Sequence, residues 1–200
     1  MDQKILSQTA YIFGSFNPIH IGHLMNIHSI SIMFNKTCVI PSPNNPHKDS
    51  NSLLPFPFRV DLIKDSISKL SLNNDVYVDT IENSMDLPNY TYKTIRELKK
   101  RDNVDKLVLV FGTDVLVNLP KWRNYGEVLN NHFIHVKRPG CDVSDIPHEV
   151  QDNIIFETTS LHNVSSTKLR ESIINGDVEL TRSLVPDIIL PKLINWYNNK

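Results

Sequence analysis

Cysteine is scarce in this sequence, and long apolar runs are absent. The two cysteines, Cys38 and Cys141, are far apart and form no CxxC pair, and we find no zinc-binding spacing. No apolar stretch is long enough to span a membrane. The first residues, Met1 to Lys4, lack the layout of a signal peptide. We therefore expect a cytoplasmic protein in a reducing setting, without a membrane partner.

An excess of charge of one sign is also missing. The net charge of −1 argues against a broad nucleic-acid or membrane surface, so any anion site must be local. The 200 residues are 40% apolar and 22% charged, as in an ordinary globular protein. We expect one domain over residues 1–200.

Short β-rich runs alternate with helical patterns along the whole chain. The predicted strands are Tyr11–Phe13, Thr37–Ile40, Val76–Val78, Leu107–Phe111, Phe133–Val136 and Ile154–Phe156. The predicted helices are Ile21–Phe34, Phe58–Leu70, Thr91–Lys100, Trp122–Asn130, Ser166–Asn175 and Asp187–Tyr197. The run Leu107–Phe111 is apolar throughout, which is typical of a central parallel strand. This alternation predicts an α/β fold: a single Rossmann-like, doubly wound parallel sheet with helices on both faces.

The segment from Gly14 to His23 has residue types that suit a phosphate site. Two histidines flank a glycine where a strand would turn into a helix, and helix-start N–H groups attract anions. A second cluster, Val164–Arg170, gathers hydroxyls and two cations at another helix start. Two such starts, far apart in sequence, indicate a long phosphorylated ligand such as a triphosphate. Ligands of doubly wound sheets lie beyond the carboxyl ends of strands, where Gly14–His23 and Gly112–Asp114 are predicted to lie.

Several segments, taken in order, resemble those of one enzyme family. They are Gly14–His23 with its HxGH motif, Asn45-Pro46-His47-Lys48, Asn89-Tyr90-Thr91 with Thr94-Ile95, Gly112-Thr113-Asp114 with Leu116, Leu119–Trp122, Arg138-Pro139-Gly140, Val164–Arg170 and Val185-Pro186. The chain resembles the HxGH nucleotidyltransferase superfamily, and within it the bacterial nicotinate-nucleotide adenylyltransferases. It departs from their pattern at Phe13, Asn17 and Asn45, where many members have glycine, aspartate and proline.

The resemblance implies transfer of the adenylyl group of ATP to nicotinate mononucleotide, which gives deamido-NAD and pyrophosphate in NAD biosynthesis. The acceptor phosphate monoester has a second pKa of about 6, so it needs neither a general base nor a covalent intermediate. Catalysis then depends on in-line positioning and charge stabilisation. Mg²⁺ is expected to bind with ATP, and no metal-ligating residues are predicted.

The same resemblance implies roles for individual residues. The catalytic set is His20, His23 and Arg170. The ATP-binding set is Gly14, Ser15, Phe16, Gly22, Gly112, Asp114, Ser165, Ser166 and Thr167. The mononucleotide-binding set is Asn17, Lys48, Tyr90, Thr91, Trp122 and Arg123. In that scheme Asp114 binds a ribose hydroxyl, Trp122 stacks on the pyridine ring, and amides near Thr91 favour a carboxylate.

Structural explanations remain open for several of these residues. Asp114 and the serines also suit helix caps, Trp122 suits a core position, and Lys48 suits an exposed loop at residues 41–57. Arg138 could contact phosphate or simply belong to a turn. His132 and His135 make a poor metal pair, because residues i and i+3 of a strand point to opposite faces.

Other functions remain alternatives. The acceptor could be nicotinamide mononucleotide, phosphopantetheine or FMN, although the Trp122 block and the Val185-Pro186 ending favour the nicotinate enzymes. A class I aminoacyl-tRNA synthetase would need a longer chain and a basic RNA-binding face. A nucleotide sensor without catalysis would be expected to have lost His20, His23 or Arg170, and all three are present. A homo-oligomer is possible.

Overall fold

One parallel sheet forms the centre of the molecule. The structure, a computed structural model of the chain, describes residues 3–44, 53–70, 72, 74–138, 140, 143–159 and 164–199. The strands are β1 (Thr9–Gly14), β2 (Lys36–Pro41), β3 (Asp75–Val78), β4 (Val108–Gly112), β5 (His132–Lys137) and β6 (Ile154–Thr159). Within the described residues they lie in the order β3-β2-β1-β4-β5-β6, each parallel to its neighbours. All the predicted strands are confirmed.

The direction of winding changes between β1 and β4. From β1 the chain builds the sheet outward to β3, then returns to the other side of β1 and continues from β4 to β6. Such an order leaves a crevice at the carboxyl ends of the two central strands. Gly14 ends β1 and Gly112 ends β4, so both segments singled out in the sequence lie at this crevice. The predicted fold class is confirmed.

Helices cover both faces of the sheet. They are α1 (Gln3–Leu6), α2 (Ile21–Met33), α3 (Phe56–Ser68), α4 (Thr91–Asp102), α5 (Thr113–Asn118), α6 (Tyr125–Leu129), α7 (His148–Gln151), α8 (Ser166–Ile174), α9 (Val178–Leu184) and α10 (Leu190–Asn198). Successive strand residues point to opposite faces. Ala10 and Ile12 therefore pack with α2, α3 and α8 to α10, whereas Tyr11 packs with α4 to α7.

Several helical regions differ from the sequence-based expectation. The predicted helix Trp122–Asn130 is shortened to α6, Tyr125–Leu129, and a separate 3-10 turn at Leu119–Lys121 precedes it. The reason is Asn124, whose φ of 53° is a left-handed conformation that an α-helix cannot contain. The short helices α1 and α7 were not predicted. Helix α9 was not predicted either, although its aspartate cap, Asp177, is a recognisable start signal.

Proline explains two shifted helix starts. Helix α3 begins at Phe56 rather than at Phe58, because Pro57 occupies the first turn, where its missing N–H costs no hydrogen bond. Helix α10 begins at Leu190 rather than at Asp187, and its second residue is again a proline. Because a proline breaks the interior of a helix, Pro57 and Pro191 each lie in the first turn of their helix.

The two predicted loops are described only in part. The proline-rich loop predicted over residues 41–57 ends before Phe56, and its residues 45–52, Lys48 among them, lie outside the described residues. The loop from Arg138 to Pro147 contains a 3-10 turn at Val143–Asp145. Nowhere in the described part of the chain is a helix both long and apolar enough to cross a membrane.

Candidate active site

The loop that follows β1 is tightly folded against its own side chains. A Cβ added to Gly14 would lie 2.9 Å from Cζ of Phe16, so only glycine fits beneath that ring. Phe16 is 2% exposed and has a φ of 43°, which is strained for an aromatic residue. The buried amide of Asn17 accepts a hydrogen bond from the N–H of Leu54 at 2.8 Å. The loop is therefore held in one conformation by its surroundings.

Two histidines form a capping box at the start of α2. The N–H of His23 donates to Nδ1 of His20, and the N–H of His20 donates to Nδ1 of His23, each at 3.3 Å. The rings stack with centroids 3.7 Å apart. A ring nitrogen that accepts a hydrogen bond carries no proton, so both neutral rings hold their proton on Nε2. Both histidines are thus set up as Nε2–H donors.

His20 is uncharged near neutral pH. Burial, together with the positive charge of Arg138, lowers the pKa of His20 from 6.5 to about 4. The ring is 6% exposed, so a positive charge on it would lie out of water and close to the guanidinium of Arg138. Gly22 lies close beneath the pair, since its Cβ would be 3.2 Å from the His20 ring. The neutral imidazole still has its Nε2–H to donate to a phosphate oxygen.

The start of α8 lies directly beside the β1 loop. Arg170 donates from Nη1 to the carbonyl of Asn17 at 2.7 Å, and the Ser166 hydroxyl donates to the carbonyl of Pro18 at 2.9 Å. Ser165 caps α8 by accepting the N–H of Lys168. The two helix starts that are far apart in sequence therefore meet in the structure.

The other residues of the α8 cluster face solvent. Thr167 is exposed, and its hydroxyl accepts a hydrogen bond from Nη2 of Arg170 at 3.2 Å. Lys168 is exposed as well. Together with Ser166 and Arg170, they bring hydroxyl and cationic groups to the first turn of α8. Such a group of donors suits the oxygens of a polyphosphate.

The turn after β4 completes the crevice. Nε of Arg138, at the end of β5, lies 3.3 Å from Oδ1 of Asp114. Both side chains are about half exposed, at 51% and 50%. A Cβ on Gly112 would lie 2.7 Å from that carboxylate oxygen and 2.9 Å from Nε of Arg138. A side chain at position 112 would therefore have to displace Asp114 or Arg138. The charge of Arg138 also acts on His20, whose pKa it lowers.

Aromatic side chains line the side of the crevice between β4 and α4. Trp122 meets Phe111 edge to face with centroids 5.9 Å apart. The guanidinium of Arg123 lies 5.3 Å above the ring of Tyr90. Tyr90 precedes α4 and makes no side-chain hydrogen bond to that helix, whose first N–H groups belong to Thr91 and its successor. Flat rings and a cation beside a helix start suit an aromatic ring that carries an acid.

A buried glutamate supports the segment that leads into α4. Glu82 is 4% exposed; its Oε1 accepts from the Thr94 hydroxyl at 2.9 Å, and its carbonyl accepts from the Asn89 amide. Burial raises the pKa of Glu82, and hydrogen bonds with Thr94 and Ser42 partly offset that rise. Nothing in the sequence distinguishes Glu82, because an acid in a turn is exposed by default.

Arg59 is a second residue that sequence reasoning missed. It is 1% exposed, and its guanidinium donates to the carbonyls of Leu54, Ser15, Ser42 and Pro43. Burial lowers the pKa of Arg59 to about 10. One side chain thus joins α3 to the loops after β1 and β2. In the sequence, Arg59 is one residue of a predicted helix, and no local pattern indicates that it joins two loops.

The predicted site residues that the structure describes lie at the β1 loop, at the end of β4 and on the aromatic side of the crevice. His20, His23, Gly14, Phe16, Gly22, Asn17, Ser166 and Arg170 lie around the β1 loop; Gly112 and Asp114 lie at β4; Tyr90, Thr91, Trp122 and Arg123 lie on the aromatic side. Ser15 contributes its carbonyl to Arg59. Lys48 lies outside the described residues. Among those described, no group of three or more His, Cys, Asp or Glu side chains could hold a metal ion.

Comparison with protein families identifies a match along most of the chain. The model of the family described as cytidylyltransferase-like matches residues 11–172. The nicotinate-nucleotide adenylyltransferase of Bacillus subtilis is 31% identical over 177 residues, which cover 87% of this chain and 88% of the relative.

Solved structures share the fold. The Plasmodium falciparum nicotinic acid mononucleotide adenylyltransferase complexed with NaAD has a TM-score of 0.79 at 16% identity, covering 95% of this chain and 96% of that one. A second structure of that protein, complexed with APC, has a TM-score of 0.77 at 17% identity, with 96% of each chain covered. At this identity the likeness establishes the fold.

Proposed function

Because this chain belongs to the cytidylyltransferase-like family, and within it to the nicotinate-nucleotide adenylyltransferases, we propose that it transfers the adenylyl group of ATP to nicotinate mononucleotide. The products are deamido-NAD and pyrophosphate, a step of NAD biosynthesis. One observation carries the proposal beyond the resemblance. The starts of α2 and α8 are joined by hydrogen bonds from Arg170 and Ser166 to the β1 loop.

The joined helix starts support a binding site for the triphosphate of ATP. Nε2–H donors of His20 and His23 would face the α-phosphate and stabilise the charge that develops there. Arg170 and the hydroxyls of Ser165 and Thr167 would bind the β- and γ-phosphates, which leave as pyrophosphate. Asp114 would accept a hydrogen bond from a ribose hydroxyl.

The reaction itself requires little from the protein besides positioning. The phosphate of nicotinate mononucleotide attacks the α-phosphorus of ATP, one P–O bond forms, and the bond to the pyrophosphate oxygen breaks. The attacking oxygen is already anionic at neutral pH, so no proton has to be removed. Mg²⁺ would enter as part of the Mg-ATP substrate and reduce the repulsion between the two anionic reactants.

The start of α4 supports an acidic acceptor. The carboxylate of the nicotinate ring would bind the N–H groups at Thr91, where the helix dipole favours a negative charge. Arg123 adds a positive charge beside Tyr90, and Trp122 would stack on the pyridine ring. In the structure from Plasmodium falciparum, the related enzyme is complexed with NaAD, the dinucleotide that the proposed reaction would form.

The direct test is pyrophosphate release by purified protein with Mg-ATP. Nicotinate and nicotinamide mononucleotides are compared side by side at equal concentrations. We expect a large preference for the nicotinate form, because only its carboxylate can use the α4 amides and Arg123. A matched Arg123→Gln variant should lose part of that preference while keeping its kcat with the nicotinate substrate at saturation.

Other outcomes separate the alternatives. Equal rates with both mononucleotides would mean a dual-specificity adenylyltransferase and would contradict carboxylate recognition at α4. Turnover only with phosphopantetheine or FMN would keep the chemistry and change the acceptor. ATP binding without turnover of any acceptor would contradict the enzymatic proposal and favour a nucleotide sensor.

A further inference from the structure

A histidine outside the HxGH motif lies fully buried beneath the crevice. His135 is 0% exposed on β5, on the sheet face that α4 to α7 cover. Its Nε2 lies 2.9 Å from Oγ1 of Thr113, and its Nδ1 lies 3.0 Å from Oε1 of Glu157. Glu157 is the residue directly opposite His135 in the β5–β6 register. Strands β5 and β6 and the first residue of α5 thus contribute to one line of hydrogen bonds.

The direction of each hydrogen bond in this line follows from the chemistry of the groups. A carboxylate oxygen can only accept, so Nδ1–H of His135 donates to Glu157. In this tautomer Nε2 is an acceptor, and the Thr113 hydroxyl donates a hydrogen bond to it. The oxygen of Thr113 in turn accepts the N–H of Arg138 at 3.2 Å. Every polar group of the line is satisfied in a single arrangement.

The same order of groups occurs in hydroxyl–histidine–carboxylate triads of hydrolases. Thr113, however, is 0% exposed, so its hydroxyl cannot reach a substrate. A nucleophilic role is therefore excluded by burial. The remaining question is what these three residues hold in place.

Thr113 and Arg138 are the points at which the line reaches the crevice. Thr113 is the first residue of α5 and lies between Gly112 and Asp114 in the chain. The backbone of Arg138 is tied to Thr113, and its side chain lies 3.3 Å from Asp114. The line therefore ties the backbone of Arg138 to the first turn of α5, in which Asp114 lies.

We infer that His135, with Thr113 and Glu157, positions the Asp114–Arg138 pair for ATP, and thereby determines the affinity for that substrate. His135 is a positioning residue that does not contact the substrate. The inference rests on the proposed function, which assigns Asp114 to a ribose of ATP, and it adds Arg138 as the neighbour of Asp114. The acceptor site lies on the aromatic side of the crevice, so its affinity should not depend on the line.

The test compares two substitutions of one side chain. Thr113→Val keeps the shape and removes the hydroxyl, whereas Thr113→Ser keeps the hydroxyl and serves as the control. We expect Thr113→Val to raise the KM for Mg-ATP about tenfold, as for loss of one buried hydrogen bond, with the KM for nicotinate mononucleotide changed less than twofold. Thr113→Ser should keep the KM for Mg-ATP at the wild-type value.

Two variants of His135 refine the test. His135→Gln can still accept from Thr113, whereas His135→Asn places its amide nearer to Glu157 and leaves Thr113 without an acceptor. We expect the asparagine variant to raise the KM for Mg-ATP more than the glutamine variant. The double variant His135→Asn with Thr113→Val should raise the KM for Mg-ATP by less than the product of the two single effects, because both changes break the same line of hydrogen bonds.

The outcomes distinguish this inference from the proposed function. An equal dissociation constant for Mg-ATP in wild type and in Thr113→Val, measured by equilibrium dialysis, would overturn the positioning role even if the melting temperature falls. An equal rise in both KM values would overturn it too. Wild-type protein that binds Mg-ATP without turnover would contradict the proposed function alone, and the dialysis comparison would still decide the inference.

Discussion

At the scale of single residues, the chemistry of the site follows from hydrogen bonds that assign protons. His20 and His23 each use Nδ1 to accept a backbone N–H, which leaves the proton of the neutral ring on Nε2. The capping box thus has two consequences, since it begins helix α2 and also orients two donors. A serine or aspartate cap would begin the helix equally well without providing the donors.

His23→Ala should remove most turnover while leaving the fold intact. Loss of one preorganised donor costs on the order of 10²–10³ in rate, so kcat for pyrophosphate release should fall by that amount. His28→Ala is the control, because His28 lies in the same helix away from the capping box. A kcat of His23→Ala close to that of wild type would contradict the role of the motif.

The pH dependence of stability should reveal His20. Its pKa is about 4 in the folded protein and 6.5 when exposed, so the unfolded chain binds more protons between these values. The free energy of unfolding should therefore fall by about 2–3 kcal/mol as the pH falls from 6.5 to 4.

His20→Asn is the matched variant for that measurement. Asparagine keeps an acceptor for the N–H of His23 at the helix cap but does not titrate. Urea unfolding at several pH values should show a flatter profile for the variant. Parallel profiles for wild type and variant would mean that another group is responsible.

At the scale of elements, the carboxyl ends of β1 and β4 are shaped by close approaches. Gly14 lies beneath the Phe16 ring, and Gly112 lies against Asp114 and Arg138. Neither glycine has a positive φ, so their requirement is one of space rather than of backbone freedom. The distance between strand and side chain at these points determines where ligand groups can lie.

Gly112→Ala should weaken ATP binding without unfolding the protein. The added Cβ would lie 2.7 Å from Oδ1 of Asp114 and must displace it. We expect the KM for Mg-ATP to rise about tenfold or more. Gly126→Ala is the control, because its Cβ meets nothing within 4 Å in α6, and alanine favours the helix there. An unchanged KM in Gly112→Ala would place ATP elsewhere.

At the scale of the whole molecule, two arginines join segments that are distant in sequence. Arg59 connects α3 to the loops after β1 and β2, and Arg170 connects α8 to the β1 loop. The acceptors of Arg59 are four backbone carbonyls, none of which carries a formal charge. The shape of the crevice thus depends on the complete tertiary structure.

Arg59→Lys should therefore cost more than an ordinary surface change. An ammonium group cannot donate hydrogen bonds to all four carbonyls that the planar guanidinium reaches. The free energy of unfolding should therefore fall by about 2–4 kcal/mol. Arg96→Lys is the control, since the Arg96–Glu127 pair is exposed and little change is expected. Equal effects of both substitutions on urea unfolding would contradict the role of Arg59 as a structural junction.

Much of the fold could be predicted because its signals are local. The apolar run Leu107–Phe111 became β4 and is buried on both faces, and Ser165 became the cap of α8. The errors arose where a single backbone angle or a proline decided the limit, as at Asn124 and Pro57. For the site, the order of motifs indicated the helix starts that the structure brings together at the β1 loop.

By itself, the sequence determined the strand–helix alternation and the residue types at the two helix starts, because periodicity and caps act over a few neighbouring residues. Only the tertiary structure decided the roles of Arg59, Glu82 and His135. Each is a polar residue whose burial and partners come from segments many residues away. A hydrogen bond of this kind leaves no pattern along the chain, because it depends on which atoms folding brings within about 3 Å of one another.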